Sequence, residues 1–198
     1  YAGTSPDGSV PMYTTPADAV GTYAWNNGNT SGYNEIFVTN GKTGAANTAA
    51  IIAADADTST GGTQPHQAAQ YCADLNAHGR DDWYLPAEDE MAELFTNKNT
   101  GNLNGTFNET GTAPNGFYWL SEETNFSGVS NAIAMDFNLG GIQAALKATS
   151  IAVRCVRKES GSASGTCSNP DGVPGEMIFN DDNTIMQYCN GSSWVGIR

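Results

Sequence analysis

Apolar positions along the chain come in short runs whose period changes several times. Thr22-Tyr23-Ala24-Trp25 leads into Asn26-Asn27-Gly28-Asn29. This reads as a strand entering a tight turn, because Asn-Gly tolerates positive φ. Glu35-Ile36-Phe37-Val38-Thr39 reads as a second strand, closed by Asn40-Gly41. An apolar run from Asn47 to Ala54 follows and ends at Asp55, Asp57 and a Gly61-Gly62 turn. Two segments then take the helical period. In the first, Pro65 suits the opening helical position, Ala68, Cys72 and Leu75 recur on one face, and Gly79 after His78 marks the stop. In the second, Pro86 suits the opening position and Glu88, Asp89 and Glu90 complement the helix dipole. Met91, Leu94 and Phe95 form its buried stripe.

Between Asn97 and Gly116 there is almost no apolar residue besides Leu103 and Phe107. An irregular stretch of that length inside a domain is usually functional. Strands are expected at Phe117-Tyr118-Trp119-Leu120, at Ala132 to Asn138 and at Ile151 to Arg157, with Gly140-Gly141 as a turn between the last two. Residues 159–166 are a Ser/Gly linker. Beyond it, residues 167–198 read as a small β-hairpin module with strands at Met177-Ile178-Phe179, Thr184 to Tyr188 and Trp194 to Ile197. So short a module needs a disulfide and contacts with a neighbour to hold its shape. The expected organisation is a domain over 1–158, with 1–32 as an N-terminal strand and loop extension, then linker and module.

Composition narrows the function classes. Among 198 residues, 8 are Lys or Arg against 21 Asp or Glu, a formal charge of −13. That field repels nucleic acid and sulfated polysaccharides. No apolar stretch is long enough for a bilayer span, so membrane insertion is not expected. The four cysteines, Cys72, Cys155, Cys167 and Cys189, form no C-x-x-C pair, and neither His66 nor His78 has ligand-like spacing to them. An even count in a lysine-poor, Gly/Thr/Asn-rich chain fits two disulfides in an oxidising compartment, hence a secreted or cell-surface protein. Three pairings exist. The linker between the two cysteine pairs favours Cys72 with Cys155 and Cys167 with Cys189.

Several motifs occur in fixed order: Gln67-Ala68-Ala69-Gln70-Tyr71-Cys72-Ala73-Asp74-Leu75, Gly79-Arg80-Asp81-Asp82-Trp83-Tyr84-Leu85-Pro86, Glu88 to Leu94, Tyr118-Trp119-Leu120-Ser121-Glu122 and Ala152-Val153-Arg154-Cys155-Val156-Arg157. Over about residues 33 to 158 the chain resembles the C-terminal domain of the collagen-like bacterial adhesins, the Lcl C-terminal family, a branch of the C-type-lectin-like fold. The resemblance implies an α+β domain with two helices flanking a twisted antiparallel sheet, termini close together, and a long loop region that presents the ligand surface. It also implies a disulfide from the first helix to the last strand, in agreement with Cys72–Cys155. A trimeric tip is a further implication, although no heptad or collagen repeat is present. The segment from Gly175 to Trp194 is similar to short repeats appended to bacterial surface, pilin-like and fibre proteins.

The stretch around the second helix also resembles sulfatase-modifying (formylglycine-generating) enzymes. Those need a reactive cysteine pair, whereas Cys155 is expected to be tied to Cys72 in a structural disulfide. No nucleophile elbow or phosphate loop occurs, and no enzymatic function is expected. His66 and His78 read as surface or capping groups. Calcium is the cofactor these residue types could hold: Asp136 and Asn138 share a strand face, and Glu122, Glu123 and Asn125 could approach it. The lectin Glu-Pro-Asn and Trp-Asn-Asp motifs are absent, so the plainer reading of Glu122, Glu123, Asp136 and Asn138 is a solvated rim. The ligand surface is expected in the loops, at Asn102, Asn104, Phe107, Asn108, Asn125 and Phe126, where aromatic faces stack on sugars and amides bond hydroxyls. Tyr118 and Trp119 are expected in the core. The expected function is adhesion to a glycan or protein receptor, with a pilus or fibre subunit and a phage-type variable receptor-binding protein as rivals.

Overall fold

A computed structural model of the chain describes residues 1–7, 10–26, 36, 38–55, 66–124, 131–159, 177–180, 185–189 and 194–196. The chain divides into two compact units, Tyr1–Lys158 and Glu159–Arg198. In the first, β1 (Gly3–Thr4) and β2 (Pro11–Thr14) precede three helices, α1 (Gly44–Asp55), α2 (Gln67–Ala73) and α3 (Glu88–Asn97). A short 3-10 turn at Gly101–Leu103 follows, then β3 (Phe117–Glu123), β4 (Asn131–Asp136), β5 (Ile142–Leu146) and β6 (Val156–Lys158). The second unit holds an antiparallel meander of β7 (Met177–Asn180), β8 (Ile185–Cys189) and β9 (Trp194–Gly196).

The centre of the first unit is β3, in which all seven residues are buried. Its side chains alternate between two cores. Phe117 and Trp119 join one with Trp25, Ile51, Cys72 and Val153, whereas Tyr118 and Leu120 join another with Met12, Met91, Leu94 and Phe137. Helices α1 and α2 cover the first face and α3 the second, so the sheet β3-β4-β5 is packed on both sides at its β3 edge. The second sheet, β1-β2-β6, pairs Met12 with Lys158 and Thr14 with Val156. The segment expected as an N-terminal extension is thereby part of a sheet that ties the start of this unit to its end. The disulfide Cys72–Cys155 joins α2 to the stretch before β6.

Several elements differ from the expectation. Among the described residues there are three α-helices in this unit, not two. The run beginning at Asn47 is most of α1, and its pattern is hidden because the buried face carries Gly44, Asn47 and Thr48 beside Ile51. The outer face is alanine, the strongest helix former. Helix α2 ends at Ala73, before Leu75, which still packs on the core. Gly79 does not stop this helix. His78 (φ 56°) and Gly79 (φ 70°) are the two left-handed residues of a tight turn in which Ala77 and Arg80 exchange backbone hydrogen bonds of 2.9 and 3.0 Å. Pro86 precedes the N-cap Ala87 rather than occupying the first helical position.

Tyr23 makes only an isolated bridge to Ile151. Ile36, Val38 and Thr39 are not in a strand; the Ile36 N–H goes to the Glu123 carboxylate at 2.8 Å instead of to a ladder. Strand β4 ends at Asp136, and Gly140-Gly141 leads into β5, a strand whose alanines gave no β signal. Of the expected strand from Ile151 to Arg157, bridges at Ile151 and Ala152 and the later β6 are present.

Candidate functional site

The loop after α3 is held from below by a buried arginine. Arg154 is fully buried. Its Nη1 donates to Asp18 Oδ1 at 2.8 Å and to the Thr106 carbonyl at 3.0 Å. Its Nη2 donates to Thr106 Oγ1 and its Nε to Thr14 Oγ1, each at 3.1 Å. The guanidinium lies 4.2 Å from the Phe107 ring centroid. Burial pulls the arginine below its ordinary range while the Asp18 carboxylate holds it charged. Tyr118 extends the network: its hydroxyl donates to Asp18 Oδ2 at 2.8 Å and accepts the Asn108 N–H at 2.7 Å. Lys98 secures the next turn through Glu109 and the Phe137 carbonyl, both at 2.7 Å.

This scaffold decides which predicted ligand residues are available. Asn102, Asn104 and Asn108 are exposed. Phe107 is not; at 8% exposure it is a core residue against Tyr118 and Phe137, which corrects its assignment to the ligand surface. The only apolar side chains in a polar loop were the ones available to anchor it. Asn125 and Phe126 lie outside the described residues.

The four candidate calcium ligands do not form one set. In the β3–β4 register Glu123 pairs with Ala132 and Phe117 with Asp136. Along β4 four residues of strand, roughly 13 Å, separate the two ends, the extra residues of β3 being taken up by an irregularity between Trp119 and Glu123. Asp136 is buried, and its Oδ1 accepts the N–H of Asn138 at 2.8 Å and of Leu139 at 3.4 Å, closing the turn after β4. Glu123 is buried in an ion pair with Lys147, whose ammonium lies 5.0 Å from the Trp25 ring centroid. Glu122 accepts the Glu88 N–H at 2.7 Å and the Ser121 hydroxyl at 3.2 Å. Burial pushes its carboxyl up to about 8, so it is largely protonated at neutral pH. Glu122 and Glu123 line a cleft of about 230 Å³ with Thr39, Gly41, Glu88, Thr124 and Ile133. Among the described residues, no group of three or more His, Cys, Asp or Glu is arranged to hold a metal ion. The expected rim is also not solvated: Glu122, Glu123 and Asp136 are all buried.

Other polar residues proved more deeply placed than their sequence context indicates. His66 is fully buried at the N-cap of α2, not at the surface. Asp55 grips it twice, accepting the backbone N–H at 2.8 Å and the ring Nδ1–H at 2.6 Å. Nε2 lies 3.0 Å from Asn26 Nδ2 and accepts from it, which requires the neutral ring, and burial depresses the imidazole pKa. Glu90, expected as a dipole complement, is buried too. It accepts from the Tyr84 hydroxyl at 2.8 Å and from the N–H groups of Ala87 and Gly44 at 2.9 and 3.2 Å. Ala87 has no side-chain acceptor, so the start of α3 is capped by Glu90 and by Glu122 from β3. No local signal marks Asp55 and His66 as partners, since their contact arises from how α1 and α2 pack. Glu90 was legible only as part of the Leu85-Pro86-Ala87-Glu88-Asp89-Glu90 motif.

Cys72 and Cys155 are both buried, with Cα atoms 5.5 Å apart in their disulfide. Cys167 lies outside the described residues, and so does the expected Cys167–Cys189 pairing. No helix among the described residues is long and apolar enough to cross a membrane.

The fold and its anchored loop define an α+β domain stapled, among the described residues, by one disulfide from α2 to the stretch before β6. The Lcl C-terminal domain family matches residues 15–157, well over half of the chain, and the chain belongs to that family. No curated protein matches the sequence significantly.

Proposed function

We propose that this chain is a non-enzymatic, extracytoplasmic adhesion domain of C-type-lectin-like architecture that recognises a neutral glycan through the loop after α3. The observation that carries this reading is the exposure of Asn102, Asn104 and Asn108 on a loop whose underside is fixed by Arg154, Asp18 and Tyr118. Side-chain amides present paired donors and acceptors to vicinal hydroxyls, and a pre-ordered loop loses less entropy on binding. The resemblance to adhesin C-terminal domains points the same way, and the Cys72–Cys155 disulfide is consistent with an oxidising compartment. A charge of −13 opposes sulfated ligands.

The test is binding of the labelled full chain to a broad glycan array, once with calcium and once with chelator. We expect binding that is indifferent to chelator and reduced at least about tenfold in Asn102→Ala/Asn104→Ala, with thermal stability unchanged. Binding lost in chelator would overturn the loop as the site. Silence in both conditions would leave a protein receptor, or a fibre subunit, as the better account. The fibre reading has one observation of its own, the exposed apolar residues Leu139, Ile142 and Leu146 around β5.

A further inference from the structure

Among the described residues, strand β5 is the free edge of its sheet and is not protected in the usual ways. Natural sheets blunt an open edge with lysine, proline or a bulge. Here residues 137–146 carry no charge in a chain whose formal charge is −13, and β5 pairs with β4 in unbroken register from Met135–Ile142 to Asn131–Leu146. The Asp136 N–H bonds to the Gly141 carbonyl, so by alternation Gln143 and Ala145 direct their backbone groups at β4. Ile142 and Ala144 then direct theirs outward. Ile142, Ala144 and Leu146 share one face and all are exposed, Ile142 at 45% and Leu146 at 58%.

The order Ile-Gln-Ala-Ala-Leu is self-complementary when run antiparallel to itself. With Ala144 opposite Ala144 of the second copy, Ile142 meets Leu146 of the second copy, and Leu146 meets its Ile142. Each pair is apolar and falls on the same face, and the central Ala144 pair is hydrogen-bonded because its outward groups coincide, whereas the Leu146 carbonyl already accepts the Thr149 N–H at 2.8 Å. An interface of this kind is isologous and closes on a twofold axis. A groove of about 300 Å³ lies along this strand, lined by Gln143 and Ala145 of β5 together with Pro114, Phe117 and Ile151.

We infer that β5 pairs with β5 of a second copy of this chain, joining two three-stranded sheets into one of six strands. The occupant is a second copy because the Ile142, Ala144 and Leu146 face matches itself pair for pair, and because its uncharged edge is a place where two acidic molecules can approach without meeting each other's carboxylates. The contact is short, far below the area of a stable dimer, so it forms weakly, at about 0.1–1 mM in solution. Display of many copies on one surface would raise its occupancy. Salt strengthens it by screening the repulsion between the two acidic bodies.

Sedimentation of the full chain over a concentration series tests this. The expected result is a monomer–dimer equilibrium that tightens between 0.05 and 0.5 M salt (roughly the range over which the Debye length shortens threefold). Leu146→Lys should weaken it at least about tenfold with the fold intact by circular dichroism. Ala144→Cys should give a covalent dimer under mild oxidation, since directly opposed residues have Cα atoms about 5.5 Å apart. A chain that stays monomeric at every concentration overturns the inference, as does a dimer indifferent to Leu146→Lys. Capture of an apolar extended peptide by a strictly monomeric chain would assign the edge to a different partner. None of these outcomes bears on the glycan reading, which concerns the loop after α3.

Discussion

Two buried ionisable side chains, Glu122 and His66, bracket the pH behaviour of the domain. Burial lifts Glu122 from 4.5 to about 8, so the folded state keeps a proton that the unfolded chain releases. Its contribution is therefore fully present below pH 4.5 and is lost as pH rises through 8. His66 has the opposite sense. Its folded pKa lies below 6.5, so the unfolded chain takes up a proton the folded ring refuses, and stability falls as pH drops below 6.5. Glu122→Gln can keep the acceptor for the Glu88 N–H and removes the alkaline limb. We expect the variant to gain about 2–4 kcal/mol on the wild type between pH 5 and pH 9 in denaturant titrations. An offset between the two that is constant across pH would show that Glu122 does not titrate in this window. Neither residue's role could be read locally. A carboxylate two-thirds of the way along the chain caps a helix because β3 lies against the start of α3.

At the scale of elements, the decisive joints are where helices begin and where the long loop is pinned. Gly44 opens α1 against α3 so closely that a Cβ there would meet the Glu90 carboxylate and lie 2.6 Å from the Leu85 carbonyl oxygen and 2.7 Å from the Ala87 nitrogen. The loop after α3 hangs on Arg154. Truncating it to alanine leaves Asp18 with only the Tyr118 hydroxyl and no countercharge, and Phe107 without its stacked cation, a loss of about 3–5 kcal/mol for a buried charged network. Hydrogen exchange should report where the loss falls: in Arg154→Ala the Asn108 amide loses protection ahead of the amides of β3. Uniform loss across both would mean that the arginine supports the whole core and not the loop.

Helices α2 and α3 were legible because their apolar positions recur at the helical period and because proline stands near each start. Helix α1 was not, since asparagine and threonine occupy its inner face and alanine its outer one. Strand β3 was legible from its unbroken aromatic and apolar run. Strand β5 was not, because alanine carries little strand preference. The exposed asparagines were legible as candidates. Phe107 was not legible as an anchor, because an aromatic in a polar loop looks the same whether it faces solvent or a buried guanidinium.

At the scale of the molecule, one covalent link closes most of the first unit. The disulfide spans a separation of 83 residues, and the loop-entropy relation gives about 4.5 kcal/mol for a closure of that length. A Cys72→Ala/Cys155→Ala double variant should lose about that much in equilibrium unfolding while leaving any second disulfide intact. A loss below about 1 kcal/mol would show that the sheet β1-β2-β6, which ties the same unit end to end, already supplies the constraint.

The sequence by itself pointed to the family through the order of its motifs, set the acidic character through its composition, and favoured, through the linker and the resemblance, a small C-terminal β module and the pairing of Cys72 with Cys155 among three possibilities. Motif order and composition are properties of the chain that folding leaves unchanged. Tertiary structure alone decided which polar residues are inside. Glu90, Glu122, Glu123, His66 and Arg154 look like surface residues in sequence, and all are buried because partners from distant segments satisfy their hydrogen bonds. It also decided that Glu122 and Asp136 stand at opposite ends of a strand pair, because register is set by which faces must be buried and not by how near two carboxylates lie in the chain.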